Sequence, residues 1–301
     1  MMTELFGQDD PYVRFLIDRR DTLVYRKPYP GNSGDRLIMT GTDRLMEHVG
    51  MCQTVDPAKA QFVLMAGGNP TLWPTGGIQL WRKVLSDNPQ AGLVLGPCTY
   101  RRRRRDWIDY LNDPAVPVQG LFARDPESYE VLRTEIRRDD CTIGLSHDPA
   151  FFLKRTDWLA AHRDAATRQH ILGAFRNDQE GAVPSPSWFR SIYPLLIPKA
   201  RRLIQRQIRR GLRKRKIDHA AKRGSNDCPF LERDVSHSNP EIFVETIRAA
   251  AEVHTDRLHV MIMAALLGKP VFAYGTSFGK LEAIYNHSMV DWADVTFVTV
   301  E

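Results

Sequence analysis

The residues best suited to chemistry lie close together near the end of this sequence, in the stretch Thr255-Asp256-Arg257-Leu258-His259. Arg257 can form two parallel hydrogen bonds with a carboxylate or a phosphate, and His259 can exchange a proton near neutral pH. An apolar run and a Gly-Lys-Pro stop at 268–270 follow, so the pattern predicts a strand, a turn and a helix. The sequence therefore predicts an anion site at a helix N-terminus, on the carboxyl edge of a parallel sheet.

The same stretch also has a purely structural interpretation. Thr255 and Asp256 would cap a buried helix. Arg257 would pair with a structural acid, and His259 would be a hydrogen-bonded core residue. Residue types and spacing leave both interpretations open.

Apolar strands alternate with helical segments along the whole chain. The predicted strands are 21–25, 61–66, 92–96, 118–123, 171–175, 252–254, 271–274 and 295–300, and helices are predicted at 36–49, 125–136 and 240–251. This alternation is typical of parallel sheets covered on both faces, so we predict an α/β protein. A chain of 301 residues suits two domains, which we assign to 1–165 and 166–301.

Composition favours a cytoplasmic protein. No stretch approaches the ~20 apolar residues of a membrane span, and the acidic first ten residues show no signal-peptide pattern. The four cysteines are scattered and never form Cys-x-x-Cys, as expected of reduced cytosolic thiols. Walker, Gly-x-Gly-x-x-Gly and Gly-x-Ser-x-Gly motifs are missing, as is metal-ligand spacing. We therefore expect no metal site and no dinucleotide site.

One segment, 199–223, concentrates Lys and Arg and contains a single acid, Asp218, although the net charge of the whole chain is only +6. Its apolar residues recur at helical spacing, which predicts a short basic amphipathic helix; they are Leu203, Ile204, Ile208 and Leu212. The helix suits a solvated surface, an anionic membrane leaflet or nucleic acid phosphates. We favour the membrane surface. Nucleic acid is unlikely because no aromatic residue interleaves the segment.

Six elements, in order along the chain, resemble the motifs of the polysaccharide pyruvyl transferase family. They are Gly31-Asn32-Ser33-Gly34-Asp35, Ala66-Gly67-Gly68-Asn69, Ala123 to Ser128, Phe175 to Glu180, Thr255 to His259, and Ser277 to Leu281. The fifth, Thr-Asp-Arg-Leu-His, is the most specific. Ala66, Asn69 and Val260 stand where the family usually has glycine.

The resemblance implies two Rossmann-like domains facing a cleft, the GT-B arrangement. It implies phosphoenolpyruvate as the donor and no metal or other cofactor. The acceptor would be a sugar of a surface or exopolysaccharide precursor, often lipid-linked at the inner face of the cytoplasmic membrane, and the product a pyruvate ketal. Peripheral attachment through 199–223 would suit such an acceptor.

Site residues follow from the resemblance and from the charge of the donor. Phosphoenolpyruvate carries two anionic groups, so its site needs cations or helix ends, and the enol carbon needs a general acid. We assign His259 as that acid, Arg257 as the main anion-binding residue and Asp35 as the base, with Asp178 as the alternative base. The predicted donor-binding residues are Arg124, Arg257, Leu258, His259, Ser277 and Lys280. The predicted acceptor-binding residues are Asn32, Gly34, Gly68 and Asn69.

Two other functions remain open from the sequence. A GT-B glycosyltransferase that uses a nucleotide sugar would share the two-domain architecture. A non-enzymatic basic module that binds anions would use the 199–223 arginines and would not need His259.

Overall fold

Fully buried runs at 62–65 and 92–98 form strands of the first sheet, because both faces of a parallel sheet are covered. In the computed structural model, which describes residues 6–28, 31–71, 76–102, 105–163, 169–176, 198–225, 227–275 and 279–300, this sheet is parallel throughout, with its strands in sequence order. They are β1 (Val24–Arg26), β2 (Phe62–Met65), β3 (Gly92–Cys98), β4 (Val118–Ala123) and β5 (Thr142–Leu145).

Within the residues that the structure describes, five helices accompany this first sheet. They are α1 (Pro11–Ile17), α2 (Ser33–Val49), α3 (Gly76–Asp87), α4 (Asp106–Asn112) and α5 (Pro126–Glu135). Short 3-10 helices cover Pro57–Lys59 and Pro149–Arg155. Trp81 of α3 and Trp107 of α4 are 1% exposed and pack in one apolar cluster with β3 and β4.

The second sheet is also parallel, but its order is β10-β9-β8-β6-β7. Its strands are β6 (His170–Ala174), β7 (Phe230–Glu232), β8 (Ala250–Thr255), β9 (Val271–Tyr274) and β10 (Val295–Val298). The helices that the structure describes in the second half are α6 (Asp157–Arg163), α7 (Pro198–Ala221), α8 (Pro240–Arg248), α9 (Leu258–Leu266) and α10 (Lys280–Ser288). Apart from the half-buried His259, every residue of α9 is buried, which explains its apolar sequence.

The chain divides into two units by its internal contacts. The N-terminal unit comprises Met1–Asp157 and Ala283–Trp292, and the C-terminal unit comprises Trp158–Glu282 and Ala293–Glu301. The last part of α10 therefore belongs with the N-terminal unit. The sequence-based division into 1–165 and 166–301 assigns this segment to the second domain.

The predicted α/β class with parallel sheets is confirmed, and most element bounds shift by only a few residues. The predicted helix 240–251 was too long. It ends at Arg248, because Ala250 already pairs with His170 in the neighbouring strand. The predicted helix 36–49 was too short, because α2 begins at Ser33 behind an Asn32 cap. No helix among the described residues is long and apolar enough to cross a membrane.

Candidate active site

The order of the second sheet creates a switch point between β6 and β8. The chain leaves β6 towards β7 on one side, and it leaves β8 towards β9 on the other side. Neighbouring strands whose connections diverge open a crevice at their carboxyl ends, where open α/β sheets bind ligands. Ala174 ends β6 directly beside Thr255 at the end of β8. The residues that follow, Arg176 and 256–259, therefore lie at this switch point.

Thr255 fastens the two strand ends to each other. Its hydroxyl donates to the carbonyl of Ala174 over 2.8 Å and accepts from the backbone N–H of Arg257 over 3.0 Å. The helix α9 begins at Leu258 with Arg257 as its N-cap, and no side-chain cap is present among the described residues. The capping role considered for Thr255 and Asp256 is therefore wrong. Thr255 instead joins two strand ends, and Asp256 accepts hydrogen bonds from Arg176 and Lys216.

The carboxylate of Asp256 is buried, with 2% exposure. Its Oδ1 accepts from the backbone N–H of Arg176 over 2.7 Å, and its Oδ2 accepts from Nζ of Lys216 over 2.8 Å. Lys216 belongs to the basic helix α7, so this helix reaches the candidate site directly.

Arg257 is 8% exposed and is held by an acid that the sequence analysis missed. Its Nη2 lies 3.1 Å from both carboxylate oxygens of Asp234. Burial acts to raise the pKa of Asp234, but hydrogen bonds from Ser236 and the charge of Arg257 outweigh it, so that pKa is lowered. An ionised Asp234 thus neutralises Arg257, and an incoming anion would compete with it.

The neighbours of Arg257 in α9 differ in what they can offer a ligand. His259 is half-buried in the first turn of the helix. The side chain of Leu258 is 4% exposed and lies in the core, so its predicted contact with a donor would come from its backbone. The first N–H groups of a helix lack partners within the helix and favour an anion.

Arg124 forms hydrogen bonds with residues that follow three other strands of the N-terminal unit. It follows β4 and is 0% exposed. Its Nε donates to Thr99 after β3 over 2.9 Å, its Nη2 donates to Asn69 after β2 over 2.7 Å, and its Nη1 donates to Asp148 after β5. Burial acts to lower the pKa of Arg124, but Asp148 outweighs it and that pKa is raised. A donor anion would reach the guanidinium only by displacing one of these partners.

Asn32 and Asp35 cap α2 reciprocally. Asn32 Oδ1 accepts from the N–H of Gly34 over 2.8 Å, and Asp35 Oδ2 accepts from the N–H of Asn32 over 2.9 Å. This capping box satisfies N–H groups at the start of the helix. The candidate base Asp35 is half-buried and shares its carboxylate with this cap.

The remaining predicted site residues are distributed between the two units. Gly68, at φ 109°, lies in the left-handed region that favours glycine, and its carbonyl accepts from the N–H of Thr99 over 2.9 Å. Lys280 begins α10 in the C-terminal unit and is 9% exposed. Ser277 and Asp178 lie outside the described residues.

The charged residues of these clusters that were not predicted from the sequence are Asp148, Lys216 and Asp234. Lys216 did carry a signal, because it continues the apolar spacing of Ile208 and Leu212 along one face of α7. The acids are distant in sequence from the arginines they pair with, and nothing in their local pattern marks them.

Comparison with known proteins decides the family. The family model described as polysaccharide pyruvyl transferase matches residues 3–277. The chain belongs to the polysaccharide pyruvyl transferase family. This is a family of transferases, and each unit contains a five-stranded parallel sheet, as the predicted α/β class requires. No curated protein sequence matches the chain.

A solved structure shows the same fold. A functionally uncharacterised protein from Klebsiella pneumoniae subsp. pneumoniae NTUH-K2044 is 18% identical with a TM-score of 0.63, and the match covers 96% of this chain and 97% of that one. UDP-GlcNAc 2-epimerase from Methanocaldococcus jannaschii is 12% identical with a TM-score of 0.39, over 99% of this chain and 86% of that one. The second likeness is too distant to bear on the site of this pyruvyl transferase family member.

Proposed function

We propose that this protein transfers pyruvate from phosphoenolpyruvate to a sugar of a surface or exopolysaccharide precursor, forming a ketal and releasing phosphate. The observation that carries the proposal is the Thr255–His259 motif at the switch point of the second sheet, in a chain of the pyruvyl transferase family. Open α/β sheets bind their ligands at such a point.

The proposed reaction balances with the donor and two sugar hydroxyls alone. C3 of the donor gains a proton and becomes a methyl group. C2 forms one C–O bond with each hydroxyl, and its bond to the phosphate oxygen breaks. Of the two hydroxyl protons, one balances the proton that C3 gained and the other leaves with phosphate. The first step needs a general acid, and His259 is the proposed acid because histidine is the side chain that most often transfers protons in enzymes.

Arg257 would bind one anionic group of the donor in place of Asp234, assisted by the N-terminus of α9. Leu258, Lys280 and Ser277 remain proposed donor contacts. Asn32, Gly34, Gly68 and Asn69 of the N-terminal unit are the proposed acceptor residues. Asp35 is the proposed base, and its carboxylate must leave the cap of α2 to act.

Thermal unfolding with and without millimolar phosphoenolpyruvate tests the proposal. A ligand at about 100 times its dissociation constant adds about 2.7 kcal/mol to the free energy of unfolding, or several degrees in Tm. We expect this shift in the wild type, its loss in Arg257→Ala and its reduction in Arg257→Lys, because lysine cannot form the paired hydrogen bonds.

The control variant is Arg248→Ala, which removes an arginine of the same unit that pairs with Glu245. It should keep the full shift. A wild type that is stabilised by nucleotide sugars and not by phosphoenolpyruvate would replace this proposal with the glycosyltransferase. Anion binding that stays intact in His259→Ala, and is lost when the arginines of 199–223 are replaced, would favour the non-enzymatic anion-binding module.

The proposal includes docking of α7 on an anionic membrane leaflet. Arg206, Arg210 and Lys214 are exposed at four-residue spacing, and Leu203 beside them is 59% exposed. Ile208 and Leu212 are half-buried, so the apolar stripe of the helix is partly used by the protein itself. Docking would therefore be electrostatic, at about 1 kcal/mol for each Lys or Arg near the surface, and sensitive to salt.

Sedimentation with phosphatidylserine vesicles tests the docking. The triple variant Arg206→Gln, Arg210→Gln and Lys214→Gln should lose binding. A control with the same charge change, Lys59→Gln, Lys83→Gln and Arg133→Gln in the N-terminal unit, should keep it. Equal binding by both variants would contradict docking through α7. Binding to duplex DNA and not to vesicles would identify nucleic acid as the partner.

A further inference from the structure

Among the basic residues of α7 whose side chains the structure describes, Lys216 is the buried exception. It is 8% exposed, whereas Lys214 and Arg215 beside it are exposed. A lysine is rarely buried unless it is paired, and the partner of Lys216 is Asp256, itself 2% exposed. Lys216 takes the place of an apolar residue in the stripe and makes an ion pair with the candidate donor site.

Asp256 joins three separate parts of the C-terminal unit. It directly precedes Arg257, its Oδ1 accepts from the N–H of Arg176 after β6, and its Oδ2 accepts from Lys216 of α7. The two loops that form the switch point are thus fastened through one carboxylate. The ammonium group of Lys216 balances the charge of this carboxylate.

We infer that Lys216 is a positioning residue for the donor site. Acting through Asp256, it holds the loop that carries Arg257 and His259 in its binding geometry. This inference rests on the proposed function, which it deepens, and it assigns to the basic helix a second role that is independent of any membrane. A shift of about 1 Å at a reacting group can cost about 100-fold in rate. A small movement of this loop would therefore have a large effect.

The rest of α7 is anchored independently of Lys216. His219 Nδ1 lies 2.8 Å from the hydroxyl of Tyr274 at the end of β9. Just after the helix, Arg223 forms a two-pronged ion pair with Glu252 of β8. Removing the ammonium of Lys216 should therefore loosen the loop without detaching the helix.

Dissociation constants for phosphoenolpyruvate test the inference, measured at a temperature where every variant is folded. We expect Lys216→Met to weaken binding by about 10-fold or more. The control Lys222→Met removes an exposed lysine just after the same helix and should bind as the wild type does. A dissociation constant of Lys216→Met within about two-fold of that of the control overturns the inference, because the ion pair would then contribute almost nothing to the binding geometry.

A double-variant cycle separates positioning from direct binding. If Lys216 acts through Asp256, then Lys216→Met with Asp256→Asn should lose no more affinity than the worse single variant. Losses that multiply would mean that Lys216 contacts the donor itself, and the positioning role would be wrong. If Lys216 had only a structural role, Lys216→Met would lower the affinity for phosphoenolpyruvate only in proportion to its loss of stability. We expect the loss of affinity to be larger than the loss of stability accounts for.

Amide hydrogen exchange at Arg176 reports on the tether without any ligand. The N–H of Arg176 donates to Asp256, so Lys216→Met should speed its exchange and Lys222→Met should not. If the wild type does not bind phosphoenolpyruvate, the proposed function fails, and this exchange rate alone decides whether Lys216 positions the loop. Unchanged exchange in Lys216→Met overturns the inference.

Discussion

Arg124 donates a hydrogen bond from Nη2 to Oδ1 of Asn69 over 2.7 Å, and this contact joins the chain after β4 to the chain after β2. Asn69 occupies a position where the pyruvyl transferase pattern has glycine, which offers no side-chain acceptor. In this protein the asparagine amide is therefore oriented by a buried cation.

Replacing Arg124 by Met should strongly destabilise the protein. The change leaves Asp148 buried without its cation, and breaking a buried ion pair from one side costs about 3–5 kcal/mol. Urea unfolding measures the loss. In the control Arg133→Met, the arginine is exposed and its partner Glu130 lies 4.0 Å away, so the loss should stay below about 1 kcal/mol. Similar losses in both variants would refute a structural role for the Arg124 cluster.

Replacing Asp234 by Asn should tighten binding of phosphoenolpyruvate several-fold. The carboxylate that neutralises Arg257 is removed, so a donor anion no longer competes with it. Isothermal titration calorimetry gives the affinity, and Asp227→Asn, an exposed acid of the same unit, serves as the control. Weaker binding in Asp234→Asn would show that the acid orients Arg257 and does not compete with the ligand.

His147 should make the N-terminal unit less stable in acid. Its ring stacks on His287 with centroids 4.7 Å apart, and its Nδ1 lies 2.9 Å from the hydroxyl of Ser288. Burial, together with the charge of His287, lowers the pKa of His147 to about 3. Between that value and the ordinary 6.5, the unfolded chain binds a proton that the folded protein does not. Stability from His147 is therefore present above pH 6.5 and falls as the pH drops.

The expected loss between pH 7 and pH 5 is at most about 2 kcal/mol. Urea unfolding at both pH values measures it, and His147→Gln should remove this part of the pH dependence. The raised pKa of Asp10, which burial causes, works in the opposite direction, since a buried neutral acid favours the folded state at low pH. The difference between wild type and variant isolates His147. An unchanged pH dependence in the variant would mean that the histidine titrates normally.

Replacing Tyr274 by Phe should loosen the anchorage of α7. The tyrosine hydroxyl lies 2.8 Å from Nδ1 of both His219 and His254. Its loss leaves ring nitrogens without a partner, at a cost of about 1–3 kcal/mol. Urea unfolding provides the measurement, with Tyr129→Phe of the N-terminal unit as the control. A loss no larger than that of the control would show that this hydroxyl does not hold the helix.

Much of the fold was predictable because its signals are local. The strand at 118–123 was predicted with its observed bounds, since an apolar run between turn residues is typical of a buried strand. The helix at 240–251 was overextended, because the pairing of Ala250 with His170 depends on a strand far away in sequence. Ser33 was missed as a helix start because a capping box depends on hydrogen bonds that a helical apolar pattern does not reveal.

The sequence by itself determined the α/β class, the family motifs and the position of Arg257 and His259 at a helix start, because each depends on neighbours a few residues apart. Only the tertiary structure decided which charges meet. Strand order brought β6 beside β8 and so created the switch point. Folding then paired Arg257 with Asp234, Lys216 with Asp256, and Arg124 with Asp148. The energy of an ion pair depends on the distance between its charges and on their burial, and the local spacing of residues along the chain predicts neither.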